Sequence, residues 1–182
     1  MRLFLALDLP ADVQANLTRL LAELRPAAPI GWSKPENLHV TTKFIGEWPE
    51  GRLDELQRAL AAIRRRPALA VSIRKLGFFP NARAPRVLWC GVEAPGLAEL
   101  AADTDTATAR LGVEPEKRAF SPHLTLARIK ERMQTGPLEA AIARLKSTEF
   151  GSFTATGFFL YHSRLQRGGS VYTKLAEFPF ST

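Results

Sequence analysis

The sequence contains a single cysteine, Cys90. One cysteine excludes an intramolecular disulfide framework and is typical of a protein that stays in a reducing compartment. Its neighbours in the run from Val87 to Val92 are mostly apolar. That setting predicts a buried strand and an inert core thiol rather than a nucleophile.

Long apolar runs are also missing. The N-terminal run Leu3–Leu7 is followed by Asp8 and Pro10, so it is too short for the core of a signal peptide or for a membrane span. We therefore expect a cytoplasmic protein with no membrane partner.

Signatures of metal and cofactor binding are scarce as well. Three histidines and one cysteine show no ligand spacing, and the glycines form neither a P-loop nor a dinucleotide-binding pattern. The sequence therefore predicts no metal site and no cofactor.

Acidic residues are outnumbered by basic ones, 18 against 25, which gives a formal net charge of +7 over 182 residues. Most of this excess lies in the first half of the chain. A polyanionic partner such as nucleic acid matches it. Arginine placed on solvated faces explains it equally well, so two interpretations stay open. The apolar fraction of 46% is that of an ordinary globular domain.

Hydrophobic periodicity predicts strands and helices that alternate along the chain, hence an α/β or α+β fold. Helices are predicted over Ala11–Arg25, Leu53–Arg65, Leu97–Leu111 and Leu138–Leu145. Strands are predicted over Arg2–Leu9, Leu38–Ile45, Leu69–Leu76, Val87–Val92, His123–Ile129, Phe150–Tyr161 and Val171–Phe178. Gly168-Gly169 predicts a hairpin turn between the last two strand-like runs.

Two parts of the sequence echo each other. His39-Val40-Thr41-Thr42 precedes a predicted helix and then Gly77-Phe78-Phe79, and His123-Leu124-Thr125-Leu126 precedes a helix and then Gly157-Phe158-Phe159. The intervals from His to Gly are 38 and 34 residues. We interpret the echo as a duplication that places one His-x-Thr strand in each of two lobes. The alternative is coincidence in a chain with 11 phenylalanines.

Residues two apart on a strand project from the same face, so His39 lies beside Thr41 and His123 beside Thr125. Lys43 has the same parity as His39 and is expected to add a positive charge to that face. The alternate residues are expected to point into the core: Val40, Phe44, Leu124 and Leu126.

Two such faces suit chemistry at phosphorus. An in-line displacement needs a base and an acid on opposite sides of the phosphorus. Histidine, with an ordinary pKa of about 6.5, serves in either role near neutral pH. Hydroxyl and ammonium groups favour the charge that develops on the non-bridging oxygens. The predicted phosphate contacts are Thr41, Thr125 and Lys43.

With these motifs the sequence resembles the two-histidine phosphoesterase superfamily, and within it the bacterial RNA 2′,3′-cyclic phosphodiesterases once described as RNA 2′-5′ ligases. Two His-x-Thr motifs in this frame are a specific signal. The likeness runs nearly end to end and includes Arg2–Asp8, Trp32, Pro35–Leu38, Pro85–Trp89, Pro122 and Ala127-Arg128.

The resemblance implies an α+β fold, a single bilobal domain over residues 1–182 with an antiparallel sheet flanked by helices in each pseudo-symmetric lobe and an active-site cleft between them. It implies hydrolysis of 2′,3′-cyclic phosphate ends of RNA to 2′-phosphomonoesters. His39 would donate a proton to the leaving 3′-oxygen, and His123 would be the base for water. Arg128 is implied as a phosphate contact, but its offset of five from His123 gives the wrong parity unless a bulge or a strand end lies near Ala127.

Several alternatives remain at this stage. Trp32 either stacks on a base at the cleft mouth or anchors the preceding loop. The protein is either the hydrolase, a non-catalytic RNA-end or nucleotide-binding protein, a 2′-5′ RNA ligase using the same cleft, or a partner-binding scaffold. A monomer that binds RNA is expected, and His162, which has no companion Thr, is expected to be structural or to lie on the surface.

Overall fold

The computed structural model describes residues 1–181, in which four α-helices and nine β-strands alternate. The helices are α1 (Ala11–Leu24), α2 (Leu53–Ala61), α3 (Leu97–Ala109) and α4 (Gly136–Ala143). The strands are β1 (Arg2–Leu7), β2 (Gly31–Trp32), β3 (Val40–Glu47), β4 (Leu69–Phe79), β5 (Val87–Glu93), β6 (His123–Arg128), β7 (Glu149–Ala155), β8 (Gly157–Gln166) and β9 (Gly169–Pro179). None of these helices is long and apolar enough to cross a membrane.

The strands form two sheets in which every neighbouring pair is antiparallel. The first sheet has the order β3-β1-β8-β9, and the second has the order β2-β6-β5-β4-β7. Four helices flank them, which confirms the α+β class. Each sheet contains one of the two strands that carry a His-x-Thr motif.

The lobes are not the two halves of the sequence. Each half begins with a strand, a helix, a motif strand and a helix, with β2 added before the first motif strand, and this order fits the predicted duplication. Strands that follow the second helix of each half, however, lie in the other sheet: β4 pairs with β5 in the second sheet, and β8 pairs with β1 in the first. Each sheet is therefore built from both halves, a correction to the picture of one lobe per half.

The Gly-Phe-Phe echo falls on these exchanged strands, but its glycines differ in role. Gly77 in β4 pairs with Trp89, and a Cβ on Gly77 would lie 2.1 Å from the indole ring. In the first sheet Ala6 pairs with Thr41 as Trp89 pairs with Thr125 in the second. The residue of the exchanged strand that faces Ala6 is Phe159 and not Gly157. A large side chain on one strand therefore faces a small residue on its neighbour in each sheet.

Most predicted boundaries hold within a few residues, and two do not. The run Phe150–Tyr161 is not one strand, because the chain leaves the second sheet after Ala155 and enters the first at Gly157. The helix predicted to reach Arg65 ends at Ala61. The predicted hairpin is present, with Arg167-Gly168 as its turn and Gly169 (φ +110°) opening β9.

Leucine is the commonest residue of the core. Helix α1 buries the residues predicted from its spacing, which are Val13, Leu17, Leu20, Leu21 and Leu24. Cys90 is fully buried in β5, and burial raises the pKa of its thiol to about 12. This confirms Cys90 as a buried core residue, and the raised pKa predicts an inert thiol.

Candidate active site

The two motif strands lie against each other where the sheets meet. Strand β3 is the edge of the first sheet and contacts β6 of the second. The chain itself ties them together: Ser33 Oγ donates to the Thr125 carbonyl (2.7 Å), and the Ser33 amide donates to the Leu126 carbonyl (2.8 Å). His39 follows six residues later. The segment that leads into the first motif is therefore fastened to the second.

Both histidines are held in the same way. His39 precedes β3, and its Nδ1 lies 2.6 Å from the carbonyl oxygen of Asn37. His123 opens β6, and its Nδ1 lies 2.8 Å from the carbonyl oxygen of Ser121. Because a carbonyl can only accept, Nδ1 carries the proton in each ring. Each Nε2 is thus left to exchange a proton with a ligand.

The surroundings of the two rings differ. The ring of Phe4 stacks on His39 at 4.6 Å between centroids, and the edge of Tyr172 meets it at 5.2 Å. Burial lowers the pKa of His39 to about 4, although the hydrogen bond to Asn37 and the charge of Asp8 oppose the shift. Among the described residues, the aromatic contact of His123 is with the edge of the Phe79 ring, at 5.1 Å between centroids. His39 is therefore neutral at neutral pH in the free protein.

Lys43 does not lie beside His39, so that prediction is wrong. Ala6 pairs with Thr41 and Leu5 with Lys43, which leaves Thr42 as an extra residue in β3. This bulge reverses the alternation, so Lys43 points into the interior and is only 3% exposed. Its Nζ lies 2.6 Å from Asp105 Oδ1 and 3.0 Å from the Glu114 carbonyl.

Lys43 forms a buried ion pair, and this predicts a structural effect for its replacement. Burial alone would raise the pKa of Asp105, but its hydrogen bonds from Lys43 and the Glu116 amide keep the pKa below its usual value. We expect Lys43→Met to lower the free energy of unfolding in urea by about 3 kcal/mol, because the carboxylate loses its partner. Catalytic constants should stay unchanged. The control is Lys146→Met, which replaces an exposed lysine. If Lys43→Met raised KM without lowering stability, Lys43 would have to contact the substrate.

Arg128 lies on the same face as His123 because β6 contains a bulge. Trp89 pairs with Thr125 and Leu88 with Ala127, so Leu126 is the extra residue in β6. Beyond it the alternation is reversed, and Arg128 shares the face of His123 and Thr125 with its side chain exposed. Its placement is therefore compatible with a phosphate contact.

Phe44 does not lie in the core, where regular alternation along the strand predicts it. It was expected in the core, but the bulge in β3 turns it to the face of Thr41, where it is 59% exposed and pairs with Phe4. It stands five residues after His39, as Arg128 stands five after His123. This equal spacing from the two histidines is the sequence feature that could have indicated that Phe44 lies on the motif face.

Trp32 anchors the loop, one of its two expected roles. Its indole N–H donates to the Ala28 carbonyl (2.9 Å), β2 pairs it with Ala127, and its ring packs against the core. Thr41 and Thr125 are half-buried on the motif faces. His162 lies in β8 opposite Leu3, away from both motifs in the pairing. Within residues 1–181, no three His, Cys, Asp or Glu side chains cluster as metal ligands.

Asn37 connects His39 to the hairpin formed by β8 and β9. Its main-chain carbonyl holds His39, and its side-chain amide donates to the Ser170 carbonyl (2.8 Å) in β9. Ser121, the corresponding residue before His123, is exposed. Asn37 is therefore a positioning residue for one ring.

We expect Asn37→Ala to lower turnover about tenfold with little change in KM, because the carbonyl that orients His39 loses its support. The loosened packing of Tyr172 should also raise the pKa of His39 from about 4 toward its ordinary value. Steady-state kinetics and an NMR titration of the ring measure both effects. An unmoved pKa with normal turnover would show that the bond to Ser170 only stabilises the hairpin.

Known proteins match both the fold and the sequence. A family model described as LigT like Phosphoesterase matches residues 7–89 and 91–172, with one His-x-Thr motif in each stretch. The chain belongs to the LigT like Phosphoesterase family. A protein of Methanothermobacter thermautotrophicus named RNA 2′,3′-cyclic phosphodiesterase is 35% identical over 180 residues, which is 97% of either chain.

Two crystal structures show how well the fold is matched. TT0787 of Thermus thermophilus aligns with a TM-score of 0.82 at 32% identity, covering 99% of this chain and 98% of its own. E. coli LigT complexed with 3′-AMP aligns with a TM-score of 0.80 at 29% identity, covering 100% of this chain and 98% of its own. The resemblance seen in the motifs thus extends over the whole fold.

Proposed function

We propose that this protein is an RNA 2′,3′-cyclic phosphodiesterase that hydrolyses cyclic phosphate ends of RNA to 2′-phosphomonoesters. The observation that carries the proposal is the pair of imidazoles, each with Nδ1 bonded to a carbonyl two residues earlier. One directly precedes β3 and the other opens β6, and these two strands contact each other. Relatives with this name cover nearly the whole chain. As part of the proposal, the protein acts as a cytoplasmic monomer without metal or cofactor.

The reaction divides between the two rings. His123 Nε2 accepts a proton from water as the water oxygen attacks phosphorus. The bond from phosphorus to the 3′-oxygen breaks, and His39 Nε2 donates the proton that this oxygen requires. The product carries its phosphate on the 2′-oxygen.

The low pKa of His39 places a condition on this assignment. A neutral ring cannot donate from Nε2, so His39 must gain a proton when the substrate binds. The negative phosphodiester supplies the cause, because an anion close to the ring favours its charged form. Binding and protonation of His39 are therefore linked in the proposed mechanism.

The remaining residues of the motif faces hold the substrate. The hydroxyls of Thr41 and Thr125 donate to the non-bridging oxygens, and Arg128 adds a charged, two-pronged donor. Phe44, exposed on the face of Thr41, offers a surface on which the terminal base stacks. Lys43 has no part in this arrangement.

The proposal is tested with purified protein and 2′,3′-cyclic AMP in excess EDTA. Separation of the products should give 2′-AMP without 3′-AMP. Tight binding without turnover would instead favour a non-catalytic RNA-end-binding protein. Turnover lost in EDTA and restored by a divalent ion would contradict the metal-independent mechanism.

A further inference from the structure

The end of the β8–β9 hairpin, residues 163–170, projects beyond the first sheet. Strand β8 pairs with β1 only as far as Ser163, and beyond it β8 and β9 pair only with each other. An isolated two-stranded ribbon is weakly stable. Here it is fastened by the bond from Asn37 to the Ser170 carbonyl, and the Lys34 ammonium lies beside Gly168 in the turn. The hairpin end thus rests on the segment that leads into His39.

The hairpin end turns an apolar side chain to the face of His39. Phe4 stacks on both His39 and Tyr161, which puts Tyr161 on this face. Leu165 follows four residues later in unbroken register with β9, so it shares the face, and it is 86% exposed. Phe44 is the other large exposed hydrophobic residue within residues 1–181. Both therefore lie on the same side of the first sheet.

The hairpin end is also positively charged. No acidic residue occurs between Ser163 and Ala176. Arg164 and Arg167 are exposed, and Lys34 adds its charge beside the turn. Within residues 1–181 none of these three side chains forms an ion pair. Cations next to an exposed apolar side chain suit a single nucleic-acid strand, which presents phosphates and base faces together.

We propose that the hairpin end binds the RNA strand upstream of the cyclic phosphate, an inference that rests on the proposed function. Leu165 packs against an upstream base, and Arg167 with Lys34 contacts the upstream phosphates. The surface distinguishes an RNA end from a free cyclic nucleotide, which has no upstream residue to place there.

The test compares two substrates with one variant, Leu165→Ser combined with Arg167→Gln. For an oligoribonucleotide ending in a 2′,3′-cyclic phosphate, kcat/KM should fall about tenfold. For 2′,3′-cyclic AMP it should stay within about twofold. Arg167→Gln alone should also reduce the slope of log kcat/KM against log salt by about 0.7 for the oligonucleotide, since one phosphate contact is lost.

Arg65→Gln is the charge-matched control. Arg65 lines a cavity of about 520 Å³ together with Phe178 and Phe180, at the opposite end of β9 from the hairpin turn. It should leave both substrates unaffected. Equal losses on both substrates would overturn the inference, and so would an unchanged rate on the oligonucleotide. If the parent protein hydrolyses neither the oligoribonucleotide nor 2′,3′-cyclic AMP, the proposed function fails. The affinities of the parent and the variant for the same oligoribonucleotide then show whether the hairpin end binds RNA, and equal affinities would overturn the inference.

Discussion

His39→Ala and His123→Ala are each expected to lower kcat/KM for 2′,3′-cyclic AMP by about a thousandfold, because each removes one of the two proton-transfer groups. His162→Ala is the matched control, since it removes the third imidazole from β8 without touching either motif. It should leave turnover unchanged. A steady-state assay of the three variants, with circular dichroism to verify folding, makes the comparison. Substantial turnover by either motif variant would exclude the division of labour between the two rings.

The pH dependence of kcat/KM should reflect the burial of His39. Because the pKa of His39 in the free protein is about 4, its limb in the profile of kcat/KM should lie near pH 4 rather than near 6.5. On this limb kcat/KM should fall as the pH rises, because the reaction requires the protonated form of His39 and the free protein loses that proton above about pH 4. An NMR titration assigns the limb, and bound 2′-AMP should move the pKa of His39 upward. A midpoint near 6.5 for His39 in the free protein would contradict its burial.

Arg128→Gln is expected to lower kcat/KM by about a hundredfold, the second-largest effect. A guanidinium that donates two bonds to a phosphate contributes charge and orientation together. Arg128→Lys should recover only part of the loss, since it restores the charge without the fork. Arg132→Gln removes an exposed charge from the following loop and serves as control. Equal activity of the Arg128 and Arg132 variants would place Arg128 outside the phosphate site.

Local periodicity and spacing predicted the four helices and both motif strands but left the class open between α/β and α+β, and the resemblance to the two-histidine phosphoesterases implied α+β. Prediction from the sequence failed where one extra residue changed the geometry. Alternation holds from His39 to Thr41 and from His123 to Thr125, and in each strand the next residue is the bulge. The offset of Arg128 from His123 predicted a bulge or a strand end near Ala127. The predictions for Lys43 and Phe44 assumed regular alternation along the strand.

Two further properties depend on contacts between distant residues. The exchange of β4 and β8 is a pairing choice between strands far apart in the chain, and no local pattern encodes it. The pKa of His39 depends on Phe4 and Tyr172, which come from opposite ends of the chain. The motif identified the ring, and only the assembled first sheet determines its protonation.

The strand exchange makes the two halves of the chain depend on each other. The chain passes from one sheet to the other after β1, β2, β3 and β7. Neither half could form its sheets alone: without the second half β4 would lose both of its partners, and without the first half β8 would lose β1, so each half would expose an unpaired sheet edge. A division of the chain at its midpoint would therefore disrupt both sheets together.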